Sequence, residues 1–406
     1  MTGTRERTLA RVLLSTPDYR RYWLGSTAFA LGIWAFLVSM GVSAKELTDS
    51  PFRVSLVSVA YFAPMFLLAL PSGVLADRHD RKQIVIWCRG ASALIATVLT
   101  WLVATDALGY PALLALCALT GATVVLEIAA RQAFVTHIVA PDQVAGAAAL
   151  GSVQGGVARV LGPLVVGGLI ALFGQSAGYA FFALANAFCV VVFLRISGSG
   201  RPPRSPGRPL NELVEGLRYL RQHRDALTVV SVGVLSGVVG WLYIALLPVV
   251  NHDTLHGGPV QLAVLSAAIG VGSVPPSILL ALRAGSPPYE GVLFYGATVV
   301  WGLAVVGFAL TSSVVVAWVA LVLTGAGNGL QQVLLRTLLL RITEPAYHGR
   351  VMGTLMLTWG ANVMGTLAGG GLAERYGVAT VIAASGGLIV AVALVALARR
   401  PSTLRL

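Results

Sequence analysis

The stretch "GVLADRHDRK", residues Gly73–Lys82, decides the fold, because five charged side chains and a histidine stand within ten residues. It directly follows the apolar run "VSVAYFAPMFLLALPS", residues 57–72, in a chain that is 56% hydrophobic and only 11% charged. Charged residues make up about a quarter of a soluble globular domain. The composition therefore excludes that class and indicates a protein that crosses a membrane several times.

Long apolar runs recur along the whole chain. A helix needs about 20 mostly apolar residues to cross about 30 Å of hydrocarbon. The runs are continuous rather than alternating, which favours a helical bundle over a β-barrel. The predicted fold is an all-α integral membrane protein with twelve transmembrane helices, at residues 22–44, 54–76, 84–105, 110–133, 146–173, 177–197, 226–250, 260–283, 290–312, 315–340, 349–373 and 378–398.

Basic residues are distributed unevenly between the two sides of these spans. Loops on the side of the N-terminus hold twenty-one Lys and Arg residues, whereas the opposite loops hold three. Loops rich in Lys and Arg stay in the cytoplasm, so the bias predicts cytoplasmic termini and an even number of spans. We also expect no cleavable signal peptide, since no short apolar core precedes the first span.

A basic segment rich in Pro, Gly and Ser divides the chain near its middle. From Leu210 its apolar residues fall on one helical face and its arginines on the other, which predicts an amphipathic helix on an anionic membrane surface. The basic charge follows the topology, so nucleic-acid binding is not predicted. The predicted organisation is a cytoplasmic segment (1–21), a six-helix half (22–197), a linker with the amphipathic helix (198–225), a second half (226–398) and a cytoplasmic tail (399–406).

The two halves resemble each other, which predicts pseudo-symmetry. Arg131 corresponds to Arg336, and four glycines of the fifth span region recur in the eleventh: Gly162, Gly167, Gly168 and Gly174 match Gly365, Gly370, Gly371 and Gly377. Parallel halves of six spans with a site between them are the layout of an alternating-access transporter.

Five stretches carry a resemblance to a known family: "STPDYRRYWLG", "PSGVLADRHDRK", "AARQAFVTHIVAPDQVAGAAAL", "RVLGPLVVGGL" and "EGLRYLRQH". The second resembles the loop between the second and third spans of the major facilitator superfamily. The set is similar to the superfamily's third drug:proton-antiporter family, which includes macrolide, tetracycline and enterobactin exporters. These stretches are distributed over most of the chain, and none of them identifies a substrate.

The resemblance implies a secondary active transporter of the bacterial inner membrane, with the major facilitator fold. Its implied activity is proton-coupled efflux of amphipathic drugs or similar small molecules by alternating access, as in multidrug efflux and antibiotic resistance. The implied partners are the substrate, protons and the lipid bilayer, and the chain is expected to act as a monomer. Three alternatives stay open: a siderophore or metabolite exporter, an importer, and a non-transporting receptor or scaffold.

Enzymatic chemistry is not predicted. The sequence contains no H-E-x-x-H or G-x-S-x-G motif, and no phosphate-binding G-x-x-x-x-G-K-[ST] loop. The three cysteines lie in apolar runs, which argues against a disulfide framework or a metal site. We therefore expect no metal and no cofactor, with the proton gradient as the energy source.

The charged loop has a predicted gating role beyond topology. Gly73 lets the second span approach a neighbouring helix closely. By resemblance, Asp77 faces the positive N-terminus of the eleventh span near Gly349 and locks the halves shut on the cytoplasmic side. The cations Arg78, Arg81 and Lys82 supply counter-charge. A basic loop that sets topology without gating is the alternative.

The fifth span resembles the antiporter signature of drug exporters. Its predicted motif consists of Gly155, Gly162, Pro163, Gly167 and Gly168, a kinkable and closely packed helix face. Ala158 stands where a glycine is usual, and an extra residue precedes the Gly-Gly pair. The resemblance favours export over import in spite of these two departures, while plain helix packing fits either direction.

Few ionisable groups lie inside the spans. Glu127 is four residues before Arg131, the favourable order for a helical ion pair, and its predicted relay includes Arg131 with Arg78 or Arg81. Glu127 is also a candidate for the proton-coupling group, because it is the one acidic residue that the predicted spans place clearly in hydrocarbon. Proton-coupled relatives often carry an acidic residue in the first span and this chain has none there, so proton coupling is implied by the resemblance. Arg159 either faces the cavity and binds an anionic substrate, resets a nearby carboxylate, or snorkels along a groove. Arg89 is expected to snorkel.

Ten further residues are candidates for the cavity wall, because they sit on spans that line the cavity in this superfamily and because aromatic and Met-rich walls suit varied apolar ligands. They are Trp34, Met65, Phe66, Trp241, Tyr243, Gln331, Gln332, Met356, Trp359 and Asn362.

Overall fold

The computed structural model describes residues 13, 15–198, 200, 209–282 and 289–405, and within these ranges it is almost entirely helical. Its α-helices are α1 (Pro17–Leu47), α2 (Pro51–Leu67), α3 (Ala69–Arg78), α4 (Arg81–Ala104), α5 (Tyr110–Ile138), α6 (Val144–Phe173), α7 (Ser176–Leu194), α8 (Pro209–Gln222), α9 (Arg224–Gly240), α10 (Leu242–Val249), α11 (Pro259–Leu282), α12 (Glu290–Leu310), α13 (Val314–Ile342), α14 (His348–Thr354), α15 (Met356–Tyr376) and α16 (Val378–Arg399).

The helices satisfy the backbone inside hydrocarbon, where no water is present to do so. Ten described segments are long and apolar enough to cross a membrane. An eleventh results when Pro51–Leu67 and Pro71–Arg78, bent by 53°, count as one span. The predicted span that these segments leave out is the eleventh, residues 349–373. It corresponds mainly to α15, 21 residues long, which packs against α2 and α9. The predicted fold class is confirmed, and the count of twelve agrees with this bundle but stays a prediction.

Three of the predicted spans are broken rather than straight. The second breaks at Leu68, four residues after Pro64, whose ring cannot donate a backbone hydrogen bond. The seventh breaks at Trp241 and ends in a π-helix, Val250–Thr254. The eleventh breaks at Leu355. These breaks give the central part of the bundle a shape that straight helices would not.

The helices pack in the same order in both parts of the chain. In the first part α1 contacts α6 and α7, α4 contacts α5 and α7, and α2 contacts α5. In the second part α9 contacts α15 and α16, α12 contacts α13 and α16, and α11 contacts α13. The most extensive contacts between the parts are those of α6 with α11 and of α2 with α15, and α1 and α2 also contact α10. We call residues 17–194 the first half and residues 224–399 the second half.

Antiparallel helix pairs define the two ends of the bundle. Gly156 of α6 faces Val274 of α11, and Gly167 faces Ala263, so the start of α6 lies beside the end of α11. We call the end with Arg81, Lys82 and Arg195 the basic end, and the end with the last residues of α1 and α15 the opposite end.

The linker helix α8 docks on the second half through a face that the sequence pattern did not identify. Gly216 packs against the carbonyl of Arg350, and the Tyr219 ring stacks on Tyr347 with centroids 4.5 Å apart. Val214 and Leu217 of the predicted apolar face are exposed, whereas Leu220 of the same face is buried. One side of α8 is thus covered by protein, and its placement on an anionic membrane surface stays a prediction.

We predict that Gly121→Ala destabilises the fold while Gly90→Ala does not. A Cβ at Gly121 would overlap the backbone carbonyl of Tyr61, where α5 crosses α2, whereas a Cβ at the exposed Gly90 meets nothing within 4 Å. Overpacking costs about 1–3 kcal/mol of unfolding free energy. The test is the melting temperature of each purified variant, and equal melting temperatures would contradict the packing of α5 on α2.

Candidate functional site

A cavity lies between the two halves, and its walls come from both. Its empty volume is about 1090 Å³, counted with the solvent space at its mouth. The lining is mainly apolar and aromatic, with Phe62 of α2 and Leu262 of α11 among the contributors. Its described polar lining consists of one arginine and a few hydroxyl and amide groups, among them Ser58, Asn328 and Thr366. Such a cavity fits an amphipathic small molecule.

Arg159 is the charged residue of the described cavity wall. Its Nη1 donates a hydrogen bond of 3.3 Å to Ser273 Oγ of the second half. Its guanidinium carbon lies 5.5 Å from the centre of the Trp34 ring. Of the two locations predicted for Arg159, the structure places it at the cavity, not in a groove facing lipid.

The structure places four of the predicted cavity residues on this wall: Trp34, Trp241, Tyr243 and Asn362. Four others are not among the described lining residues. Of these, Phe66 packs against Gly360 instead, and Gln331 is fully buried in α13. Met65 and Gln332 are half-buried. The side chains of Met356 and Trp359 lie outside the described residues.

The antiporter-like motif of α6 is divided between packing and open positions. A Cβ on Gly162 would lie 2.6 Å from the Trp34 Cβ, and one on Gly167 would lie 2.6 Å from the Ala263 Cβ. Pro163 is buried beside them. A Cβ at Gly155 or Gly168 meets nothing within 4 Å. The motif therefore brings α6 close to α1 and to the other half through Gly162 and Gly167, while the other two glycines face outward.

A buried charge cluster lies inside the first half. Glu127 is fully buried, and its Oε1 accepts a hydrogen bond of 2.8 Å from Arg131 Nε. Its Oε2 forms a salt bridge with Arg89 Nη2 of α4. Arg89 also donates to Asn186 Oδ1 of α7 at 3.1 Å and stacks on the Phe29 ring of α1. The cluster thus ties four helices together.

Two expectations about this cluster are wrong in this conformation. Arg78 is exposed and Arg81 bonds elsewhere, so neither joins Glu127. Arg89 takes that place and does not snorkel, because its exposed fraction is 0%. It lies about 12 Å along α4 from Arg81, at 1.5 Å per residue, where it faces α5 rather than lipid.

The charged loop binds the neighbouring helix ends. Arg81 donates to the carbonyl of Ala76, in the last turn of α3, and to the carbonyl of Ala133, near the end of α5. Lys82 Nζ donates to the carbonyl of Ile196 at 2.6 Å, just past α7. Cations suit helix C-termini, where unpaired carbonyls accumulate partial negative charge.

Asp80, which was not a predicted site residue, fixes the start of the linker. Its Oδ1 accepts from the backbone N–H groups of Lys82 and Gln83 and so caps α4. The same oxygen accepts from the N–H of Gly200 at 3.1 Å, and the carbonyl of Gly200 accepts from Arg81 N. The sequence signal was available, since Asp immediately before a helix is a common N-cap.

Asp77 and Gly73, which were predicted to hold the two halves together at the basic end, do not contact the described part of the second half. Asp77 is 60% exposed and bonds to Arg81 of its own loop rather than to the region near Gly349. A Cβ on Gly73 would meet nothing within 4 Å, so the expected close approach at this glycine is absent in this conformation. Both findings have one physical reason, which is that the two halves are not closed together at the basic end around this loop.

Polar contacts join the halves at the opposite end. Lys45 Nζ of α1 lies 3.0 Å from Asp253 Oδ1, which follows α10. Glu374 of α15 accepts from Ser50 Oγ at 2.7 Å and from Phe52 N at 3.2 Å. These contacts were not predicted from the sequence, in which the residues lie at the ends of spans. The available signal was that Lys45 is one of only three basic residues in the loops of that side.

Comparison with known proteins places the chain among transporters. The profile of the transmembrane secretion effector family matches residues 10–404. The uncharacterised MFS-type transporter YfiS of Bacillus subtilis is 25% identical over 390 residues, covering 91% of this chain and 90% of that protein. The enterobactin exporter EntS of Escherichia coli O1:K1 is 26% identical over 392 residues, covering 93% and 91%.

The fold is similar to solved transporter structures. A bacterial homologue of the human lysosomal transporter Spinster superposes with a TM-score of 0.73, at 15% identity, covering 96% of this chain and 98% of that one. At this identity the likeness supports the fold alone.

We predict that Glu127→Gln destabilises the protein strongly. It leaves Arg89 and Arg131 buried or half-buried without their counter-charge, and breaking a buried ion pair costs about 3–5 kcal/mol. The double change Arg89→Met with Glu127→Leu should recover much of this loss, because it removes charge from both sides. Melting temperatures of the purified variants measure both effects.

The matched control is Asp18→Asn, which removes the more exposed ion pair with Arg21. Such pairs contribute about 0–1 kcal/mol, so its melting temperature should change little. If Asp18→Asn and Glu127→Gln lower the melting temperature equally, the Glu127 cluster is not a structural tie.

Proposed function

This chain belongs to the transmembrane secretion effector family of the major facilitator superfamily, and we propose that it exports amphipathic small molecules of the drug type in exchange for protons. One observation carries the proposal: an apolar, aromatic cavity lies between two halves that are joined at one end and undocked at the other. Rocking of the halves around this cavity exposes it to each side of the membrane in turn.

The proposed orientation places the basic end in the cytoplasm of a bacterial cell, because Lys and Arg concentrate there. In that orientation the conformation is closed to the outside by the Lys45–Asp253 and Glu374 contacts. Docking of Asp77 on the second half of the protein then belongs to the other conformation of the cycle, in which the cytoplasmic side is closed. Both walls of the cavity come from the same chain, and the proposed working unit is a monomer.

Glu127 remains our candidate for proton coupling. It is fully buried and holds α4 and α5 together through its two arginines. Protonation would remove the carboxylate charge that both arginines share and so would weaken the packing of α4 on α5. Coupling of this kind acts through helix packing, since Glu127 is not among the described residues that line the cavity.

The second candidate function is export of a siderophore or another metabolite. The similarity to the enterobactin exporter, over 93% of this chain and 91% of that protein, favours it. The two candidates share the same cycle and the same cavity, and they differ only in cargo.

We predict that everted membrane vesicles containing the protein accumulate at least one compound from a panel of amphipathic drugs and siderophores. Accumulation should cease when a protonophore collapses the proton gradient, because the gradient supplies the energy. Vesicles with an empty vector are the control. Flux that persists with the protonophore would exclude proton coupling, uptake only into right-side-out vesicles would indicate import, and no flux at all would favour a receptor or scaffold.

We predict that Lys45→Ala favours the conformation open to the outside. Loss of the Lys45–Asp253 pair removes about 1 kcal/mol from the outside-closed conformation, which shifts the equilibrium about fivefold. A cysteine introduced as Ser58→Cys lines the cavity, and the native cysteines are all buried. A membrane-impermeant maleimide added outside should therefore label Ser58→Cys several times faster in the Lys45→Ala background.

Lys45→Arg is the matched control, since it keeps the cation beside Asp253. Its labelling rate should stay near that of the protein with Lys45. Equal labelling in the Ala and Arg backgrounds would show that the ion pair does not hold the outer side closed.

A further inference from the structure

We propose that the cavity selects amphipathic anions, and that Arg159 binds the acidic group of the occupant. The inference rests on the proposed transport function, because it assigns the class of cargo to the same cavity. It is argued from the balance of charge around Arg159, from the chemistry of the surrounding wall, and from the difference between the two halves.

Among the described residues, no carboxylate pairs with Arg159. Its described polar contact is with the neutral Ser273 hydroxyl, and its Nε has no hydrogen-bond partner among the described residues. The helices around it carry no carboxylate at this depth. Between their ends α2, α6, α10, α11 and α13 contain no Asp or Glu, and α1 and α15 have theirs only in their terminal turns.

A charge inside a spanning helix costs about 2.5–3.5 kcal/mol on insertion scales, so it needs a partner or a wet cavity. Other interior arginines of the first half meet this need within the protein, since Arg89 and Arg131 share Glu127. Arg159 instead faces the cavity. The negative charge that would complete the site therefore comes from the occupant.

The surrounding wall fits the remainder of such a molecule. The rings of Trp34, Trp241 and Tyr243 and the side chain of Phe62 line the same cavity, and the Trp34 ring lies beside the guanidinium. Asn328 Nδ2 has no hydrogen-bond partner among the described residues and is available as a further donor. An aromatic body with an acidic group satisfies both kinds of surface. A cationic amphiphile would place its charge near Arg159 with no carboxylate to offset the repulsion.

The two halves differ at this position, which sets the direction of the occupant. Arg159 in α6 corresponds to Asn362 in α15, and both line the cavity. The positive charge is therefore on one wall only. An occupant with one acidic end would bind with that end toward the first half and with its body toward the second half.

The test uses three probes of one shape: 2-naphthoate, 2-naphthylmethylammonium and 2-naphthalenemethanol. A biphenyl set with the same three groups guards against a poor fit of one ring system. Binding to the purified full-length protein is measured as the rise in melting temperature, detected with a thiol-reactive dye. The dye suits this chain because all three cysteines are free and buried.

We expect the acid of at least one set to raise the melting temperature at concentrations where its amine and alcohol do not. Arg159→Gln should weaken acid binding about tenfold or more, as expected for loss of a hydrogen bond to a charged group. Arg159→Lys should keep the preference for acids, and it also shows that the position tolerates change. Arg336→Gln removes the same charge from an exposed site of α13 and should bind acids normally.

Three results would overturn the inference: equal or stronger stabilisation by the amine or the alcohol, no response to any probe, or an acid preference that survives in Arg159→Gln. Transport in everted vesicles separates this inference from the proposed function. Export of cationic or neutral compounds that is unchanged in Arg159→Gln would refute anion selectivity and leave export standing. Acid-selective binding without any flux would refute export and leave the anion site standing.

Discussion

Polar groups inside this bundle must find partners within the protein or in its cavity, because hydrocarbon offers none. The helices meet this requirement for the backbone. For side chains the solutions differ with position. Glu127 is paired with two arginines, of which Arg89 also contacts an amide and a ring of neighbouring helices. Arg159, in contrast, faces the space between the halves. The first arrangement holds a half together, and the second makes the interface chemically selective.

The same requirement explains where the halves touch. Close contact between helices needs small residues, and Gly370 packs on Ser55 while Gly41 packs on Pro248 near the opposite end. Charged and capping contacts occur at that end as well, and their carboxylates, Asp253 and Glu374, are exposed to solvent although Lys45 is buried. The interior of the interface keeps mainly apolar and aromatic side chains. A cavity closed by small residues and by polar contacts at the end of the bundle can open without breaking the buried Glu127 cluster.

Much of the fold was predictable from composition alone. The length and continuity of the apolar runs predicted an all-helical membrane protein, and the motifs of residues 71–82 and 159–169 predicted the family. Both predictions are confirmed, as is the prediction that the chain is not an enzyme.

The partner of Glu127 was not predictable in this way. An i,i+4 pair such as Glu127–Arg131 is visible in one helix, but the approach of Arg89 depends on how two helices are rotated and shifted against each other. Broken helices escaped prediction for a related reason, since Pro64 signals a break but not its angle. The predicted contact of Asp77 with the region near Gly349 also depends on conformation, which a sequence does not specify.

The hydrogen bonds that hold Gly200 on the first half have a mechanical consequence. Asp80 and Arg81 hold this residue on the first half, and Pro209 begins the helix that is docked on the second half. Nine residue steps join the two anchors, and a fully extended chain covers at most about 3.6 Å per step. The tether therefore limits the separation of the two anchors to about 30 Å. When the halves move apart at the basic end, the segment between Gly200 and Pro209 therefore sets the maximum width of the opening.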